Sequence, residues 1–165
     1  MRRIFLLTFL FLPLCASARN YAPVNLPYSD APSDLSTAIA VSVLTDEGIV
    51  EGNPDGTFRP DALLNRAEFL KIAMGVLPEE DDDEYSLSCF PDVFSTAWYA
   101  QYVCRAKALG IVEGNQILGV PPHEWLFAPE RNVQYVEALK ILHIVILLSN
   151  LVGKLLNYGL MIPKS

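Results

Sequence analysis

Histidine is the scarcest chemistry-bearing residue of this chain, with only His123 and His143 among 165 residues. No serine sits in a Gly-x-Ser-x-Gly setting, and no glycine loop has the spacing that cradles phosphates. An acyl-transfer nucleophile and a nucleotide site are therefore both excluded as readings. Cysteine is limited to three residues, Cys15, Cys89 and Cys104. Two cysteines far from either histidine lack the ligand spacing of a zinc site. Positive charge is also thin, with 12 Lys and Arg against 19 Asp and Glu and a net charge of -7. Such a chain repels nucleic acid in bulk and does not coat an anionic membrane. Its acids are plentiful, yet abundance alone does not define a glycosidase carboxylate pair. The sequence reads as non-enzymatic, with no cofactor and no metal.

What is present begins with a leader. Arg2 and Arg3 form a positive start, Ile4 to Leu14 an apolar core, and Ala16-Ser17-Ala18 a small-residue cleavage signal. Residues 1–18 are read as a secretory signal peptide cleaved after Ala18. Cys15 is preceded by Leu14, where a lipoprotein signal wants a small residue, so plain cleavage is preferred. Loss of Arg2 and Arg3 takes the net charge from -7 to -9. The expected location is outside the cell, secreted to the envelope or surface. Export permits a Cys89–Cys104 disulfide, and closing a loop of this size stabilises by about 3 kcal/mol in the chain-entropy view. Two buried thiols are the alternative.

The chain repeats itself. "GIVEGN" at 48–53 returns at 110–115, and "YSDAPSDL" at 28–35 aligns with "FPDVFSTA" at 90–97, both at an offset of 62. "FRPDALLNRAEFLKI" at 58–72 matches "FAPERNVQYVEALKI" at 127–141 at an offset of 69. The second copy thus carries seven extra residues within 116–126. A duplicated supersecondary unit is the reading, with repeat 1 over 28–77, an acidic linker over 78–87 and repeat 2 over 88–142. The six consecutive acids Glu79 to Glu84 repel one another and predict a solvated connection.

Each copy predicts helix, turn, helix. In repeat 1, Leu35, Ala38, Ile39 and Val43 recur at helical spacing behind Ser33 and Asp34, which suit an N-cap. Gly48 suits the left-handed position after that helix, as does Gly110 in repeat 2. The second helix of repeat 1 starts on a capping box, Asn65 with Glu68, and its expected buried face is Phe69, Ile72, Ala73 and Val76. In repeat 2 the expected stripes are Trp98, Tyr102, Ala106 and Leu109, then Val136, Leu139 and Ile141. Gln134 is a weak cap there, but Glu137 is kept. "NPDG" does not form a calcium loop: begun at Asn53 or Glu51, its twelfth position is Leu64 or Ala62 instead of an acid. Pro54 and Gly56 mark a tight turn instead, with Phe58 turned inward.

From Ile141 to Gly153 only His143, Ser149 and Asn150 interrupt apolar residues. Residues 143–165 are read as an apolar helical tail. It completes the core, packs on a partner, or touches a membrane, although Asn150 and Lys154 interrupt a span.

The pattern of Tyr28 and Asp30, a helix, "GIVEG", "PDGTF", Pro60 and "NRAE" at 65–68 resembles the S-layer homology repeat of exported bacterial proteins. "FPDV", "WYA", "GIVEGN", "FAPE" and "VEALKI" continue the resemblance in a more degenerate second copy. The resemblance implies an all-α fold of helix-turn-helix repeats in a pseudo-threefold bundle, incomplete with two repeats. It implies non-covalent attachment to secondary cell-wall polysaccharide, an acidic and sometimes pyruvylated glycan. By that likeness Arg66 is the ligand-binding residue, with Asp30 near the groove and the Gly48–Gly52 turn giving the backbone close approach. Repeat 2 has Tyr135 where repeat 1 has Arg66, and Asn65 replaces a threonine. The alternative is a degenerate assembly module that binds protein, either other repeats of this type or a second chain. A third unit begun by the tail, a longer chain, or a partner chain would each complete the bundle.

Overall fold

The computed structural model describes residues 25–78 and 88–157. The leader, residues 79–87 of the acidic linker and the end of the tail lie outside the described residues. Among the described residues there are four α-helices and one short 3-10 turn: α1 Leu35–Asp46, α2 Arg66–Met74, α3 Ala100–Ala108, the 3-10 turn Pro122–Glu124, and α4 Tyr135–Asn157. The class is all-α, as expected, and the helices alternate with the two joints of the repeat.

Local chemistry fixes the helix ends. The Asp34 carboxylate accepts from the Thr37 amide at 2.8 Å and starts α1. Gly48 and Gly110 take φ of 69° and 70°. In repeat 1 the Gly48 amide bonds Thr45 O and the Ile49 amide bonds Leu44 O; in repeat 2 Gly110 bonds Lys107 O and Ile111 bonds Ala106 O. Both helices therefore end in the same two-bond glycine cap, which turns the chain into the joint. At α2 the capping box is complete, with Asn65 Oδ1 taking the Glu68 amide at 2.9 Å and Glu68 Oε2 taking the Asn65 amide at 2.8 Å. At α4 Glu137 makes the acid's half of such a box, accepting from the Gln134 amide at 3.0 Å.

The core lies where α2 packs on α3 and α4. Leu70, Met74, Val103, Ile111, Phe127 and Val145 are its largest fully buried side chains. All three expected stripes are partly displaced. On α2 the buried apolar residues are Ala67, Leu70, Ala73 and Met74, whereas Phe69 and Ile72 are half-buried and Val76, beyond its end, is exposed. Both stripes of α2 are apolar, so hydropathy alone does not choose between them. On α3 the buried set is Ala100, Val103, Cys104 and Ala106. Tyr102 and Leu109 pack partly against the core, and Trp98 stands exposed. On α4 Ile141 is buried as expected, but Val136 and Leu139 are exposed. That helix is held instead by Ile141 and Val145, one turn apart. His143 is exposed, and α4 runs unbroken through it.

A disulfide joins Cys89 to Cys104, with Cα atoms 5.3 Å apart. It staples the segment leading into repeat 2 onto α3. The Lys107 ammonium donates to the Cys89 carbonyl and sits 4.1 Å from the Phe90 ring centroid, fixing the same segment a second way.

Candidate functional site

The two joints are built to one plan. In repeat 1, Asp30 accepts from the amides of Phe58 at 2.6 Å and Arg59 at 2.8 Å. In repeat 2, Asp92 accepts from Phe127 at 2.8 Å and Ala128 at 2.6 Å. Arg59 and Ala128 have φ of 60° and 58°, the only positive values among the described non-glycine residues. Each aspartate thus holds a strained turn by taking its two exposed donors. These bonds, the Phe58 amide first, hold the Asp30 carboxyl below its ordinary pKa. An aromatic pair backs each clamp, Tyr28 with Phe58 at 5.1 Å and Phe90 with Phe127 at 5.6 Å between centroids. Phe58 is half-buried, while Phe127 is fully enclosed.

Gly52 is needed for this packing. A Cβ there would lie 2.2 Å from Tyr28 Cε1, and at Gly114 it would lie 2.5 Å from Trp125 Cβ. The space freed by each missing side chain is filled by an aromatic residue of the same chain.

The seven-residue insertion falls inside the second joint without opening it. Asn53 N bonds Thr57 O at 2.7 Å in repeat 1, and Asn115 N bonds Leu126 O at 2.8 Å in repeat 2. Residues 116–125 therefore stand where repeat 1 has 54–56. The Trp125 indole closes the longer loop by donating to Val120 O at 2.9 Å.

Arg66 joins the repeats. Only 6% exposed, it donates from Nη1 to Asn115 Oδ1 and Phe127 O, both at 2.9 Å, and from Nη2 to Glu113 O at 3.0 Å. Its guanidinium carbon lies 4.6 Å from the Phe127 ring centroid, and Glu137 approaches to 3.8 Å. Burial lowers its pKa, and Glu137 opposes that effect. The first-turn amides of α2 are also taken: Arg66 N by Arg131 O, Ala67 N by Pro129 O and Glu68 N by Asn65. The helix start therefore docks onto repeat 2 and leaves none of these three amides for a ligand. Glu137 completes the junction by a two-pronged pair with Arg131, at 2.6 and 3.1 Å. Burial would raise the Glu137 pKa, but the Arg131 hydrogen bond, the Gln134 amide and the Arg66 charge together bring it below the ordinary value.

Arg66 forms one wall of a pocket of about 250 Å³ whose rim includes Glu113, Gly114, Asn115, Gln116 and Lys140. Lys140 Nζ stands 3.9 Å from the Glu113 carboxylate, and both side chains are largely exposed. Arg66 thus faces the second copy of the joint, at Gly114. Asp30, Gly48 and Gly52 sit in the first copy and do not line this pocket. A second groove, of about 490 Å³, follows the first joint; Phe58, Arg59, Lys71, Ile72 and Trp98 are among its walls. Lys71 is anchored there through Ile49 O at 2.7 Å. Trp98, which helical spacing places in a core stripe, stands instead in the wall of this groove. Its position just before α3, outside the helix, was the available signal.

Two linked helix-turn-helix units with matching clamps, caps and glycine joints define a helical repeat protein. The profile of the S-layer homology domain matches residues 27–70 and 90–116, and the chain carries two S-layer homology repeats. The second match stops where the insertion begins. The Surface-layer 125 kDa protein of Lysinibacillus sphaericus is 34% identical over 103 residues, 62% of this chain and 8% of that protein. The Cellulosome-anchoring protein of Acetivibrio thermocellus is 25% identical over 142 residues, 81% of this chain and 29% of that one. Endo-1,4-beta-xylanase A of Thermoanaerobacterium saccharolyticum is 37% identical over 76 residues, 46% of this chain and 6% of the enzyme. The chain therefore spans only a small part of these relatives.

Proposed function

We propose that this chain is an exported, non-catalytic anchoring module that holds to the cell envelope by binding an acidic cell-wall polysaccharide. The observation that carries the reading is the pocket between the repeats. There the start of α2 meets the second joint, and Arg66, Lys140, Asn115 and Gln116 converge on one concave surface. A carboxylate-bearing sugar suits this lining. Lys140 supplies an accessible ammonium and the amide side chains supply hydrogen bonds to hydroxyls, while the Arg66 charge in the wall is offset by Glu137, which also lines the pocket 3.8 Å away. Arg66 serves here chiefly by shaping the pocket, because both of its terminal nitrogens already hold the joint. Asp30, Gly48 and Gly52 act at one remove, by fixing the fold of the first joint. The exposed Trp98 offers the neighbouring groove an apolar face on which a sugar ring can stack.

The relatives agree with this reading in their names, which describe surface-layer and anchoring proteins. The xylanase shares only the segment that this chain covers, which supports an appended module and not catalysis. Co-sedimentation with purified cell-wall glycan tests the proposal. Lys140→Gln, an exposed change, is expected to weaken binding about tenfold without moving the melting temperature. Equal binding by Lys140→Gln and a Gln116→Ala, Lys140→Gln double variant would remove the pocket as the site.

A further inference from the structure

α2 and α4 are equivalent helices in contact with each other, yet they bury unlike faces, and the face that one buries is wholly or partly exposed on the other. The offset of 69 pairs Ala67, Leu70 and Ala73 of α2 with Val136, Leu139 and Leu142 of α4. The α2 residues are at most 2% exposed, whereas their α4 counterparts are 37–74% exposed. The same offset pairs Ile141 and Val145, buried on α4, with Ile72 of α2 and with Val76, two residues past its last turn, which are half-buried and exposed respectively. All of these residues are apolar except that the small Ala67 and Ala73 become larger in α4. Each chain thus bears one unmated face of each kind: the α2-type face on α4 and the α4-type face on α2. Ile146 extends the open α4 face by a further turn and is 56% exposed.

We propose that a second copy of this chain occupies these faces reciprocally. The Val136–Leu139–Leu142 face of one copy receives the Ile72–Val76 face of the other, repeating between chains the contact that α2 and α4 make within one. Because each copy carries both faces, two copies related by a two-fold axis satisfy all four, the α4 face of each meeting the α2 face of the other, and the pair is isologous and closed. Burial of the exposed leucines, valines and isoleucines drives the association. The acidic net charge opposes it, so salt strengthens the pair. The proposal rests on the repeat assignment and not on glycan binding. A chain that pairs but ignores glycan overturns only the anchoring reading.

Sedimentation velocity of the purified chain is the test, with circular dichroism as the folding control. The parent is expected to run as a dimer by about 100 µM. Leu139→Glu on α4 and Val76→Glu just past the end of α2 both replace exposed residues, and each is expected to raise the dissociation constant about 100-fold while keeping native helicity. Mixing the two variants is expected to restore a 1:1 pair, since each supplies the face that the other lacks. A parent that stays monomeric overturns the proposal, as does one that adsorbs to vesicles in place of pairing. A dimer untouched by Val76→Glu also overturns it, because α4 would then be meeting α4. If either variant loses helicity, Leu142→Gln and Ile72→Gln repeat the mixing test on the same faces with uncharged changes.

Discussion

Replacing Arg66 by alanine should uncouple the two repeats. The change removes three hydrogen bonds from a charged donor, to Asn115, Phe127 O and Glu113 O, and the stacking on Phe127. Hydrogen bonds to charged groups contribute about 1.5–3 kcal/mol each in isolation, but they do not add, and the cost of burying the guanidinium is recovered. Breaking a buried charged junction typically costs about 3–5 kcal/mol, which is the loss expected here. With a urea slope of about 2 kcal/mol/M for a chain of this size, the midpoint falls by about 2 M. Arg66→Lys keeps the charge but lacks the fork needed to hold three acceptors, so about half of the loss should persist. Urea unfolding followed by circular dichroism and by Trp98 and Trp125 fluorescence is the assay. The two probes should separate in Arg66→Ala if the repeats no longer melt together. A loss below about 1 kcal/mol would refute the reasoning, since surface substitutions cost that little. A fall in glycan binding by Arg66→Ala is consequently a poor diagnostic of contact.

Three further outcomes are expected. Gly52→Ala places a methyl group 2.2 Å from the Tyr28 ring; it should lower stability by about 1–3 kcal/mol in thermal melts, and Tyr28→Ala in the same chain should relieve the clash. Reducing the Cys89–Cys104 disulfide should cost about 3 kcal/mol by denaturant titration, with the signal largest in repeat 2. Asp34 and Asp55 have pKa values lowered to about 2, chiefly by the hydroxyls of Thr37 and Thr57 respectively. Groups lowered on folding stabilise above their unfolded pKa, so their contribution should be intact above about pH 4 and vanish as pH falls through about 2. Melting temperatures across that range, compared with those of Asp34→Asn, measure it.

Much of the frame was legible because its signals are local. Asp34, the Asn65–Glu68 box and the paired glycines Gly48 and Gly110 act within a few residues of themselves. The disulfide was expected from two cysteines and an export signal. The displaced stripe of α2 was not legible, because Phe69, Ile72 and Val76 are as apolar as the residues buried instead. Nor was the engagement of Arg66, whose partners lie 47 to 61 positions away. Asp30 was read toward a ligand, whereas its two bonds go to amides that only the folded joint brings near. The exposure of Val136 and Leu139 likewise depends on which helix lies beside them.

The bond from Asn115 to Leu126 matches the bond from Asn53 to Thr57 although ten residues replace three between them. Lengthening a flexible loop by that factor costs only about 1 kcal/mol of closure entropy. The joint therefore behaves as a cassette. The peptide hydrogen bond that closes the joint is kept whatever its length, so foreign peptides grafted between Gln116 and Trp125, with Trp125 retained against Gly114, would be displayed at the mouth of the pocket while the helices below keep their register.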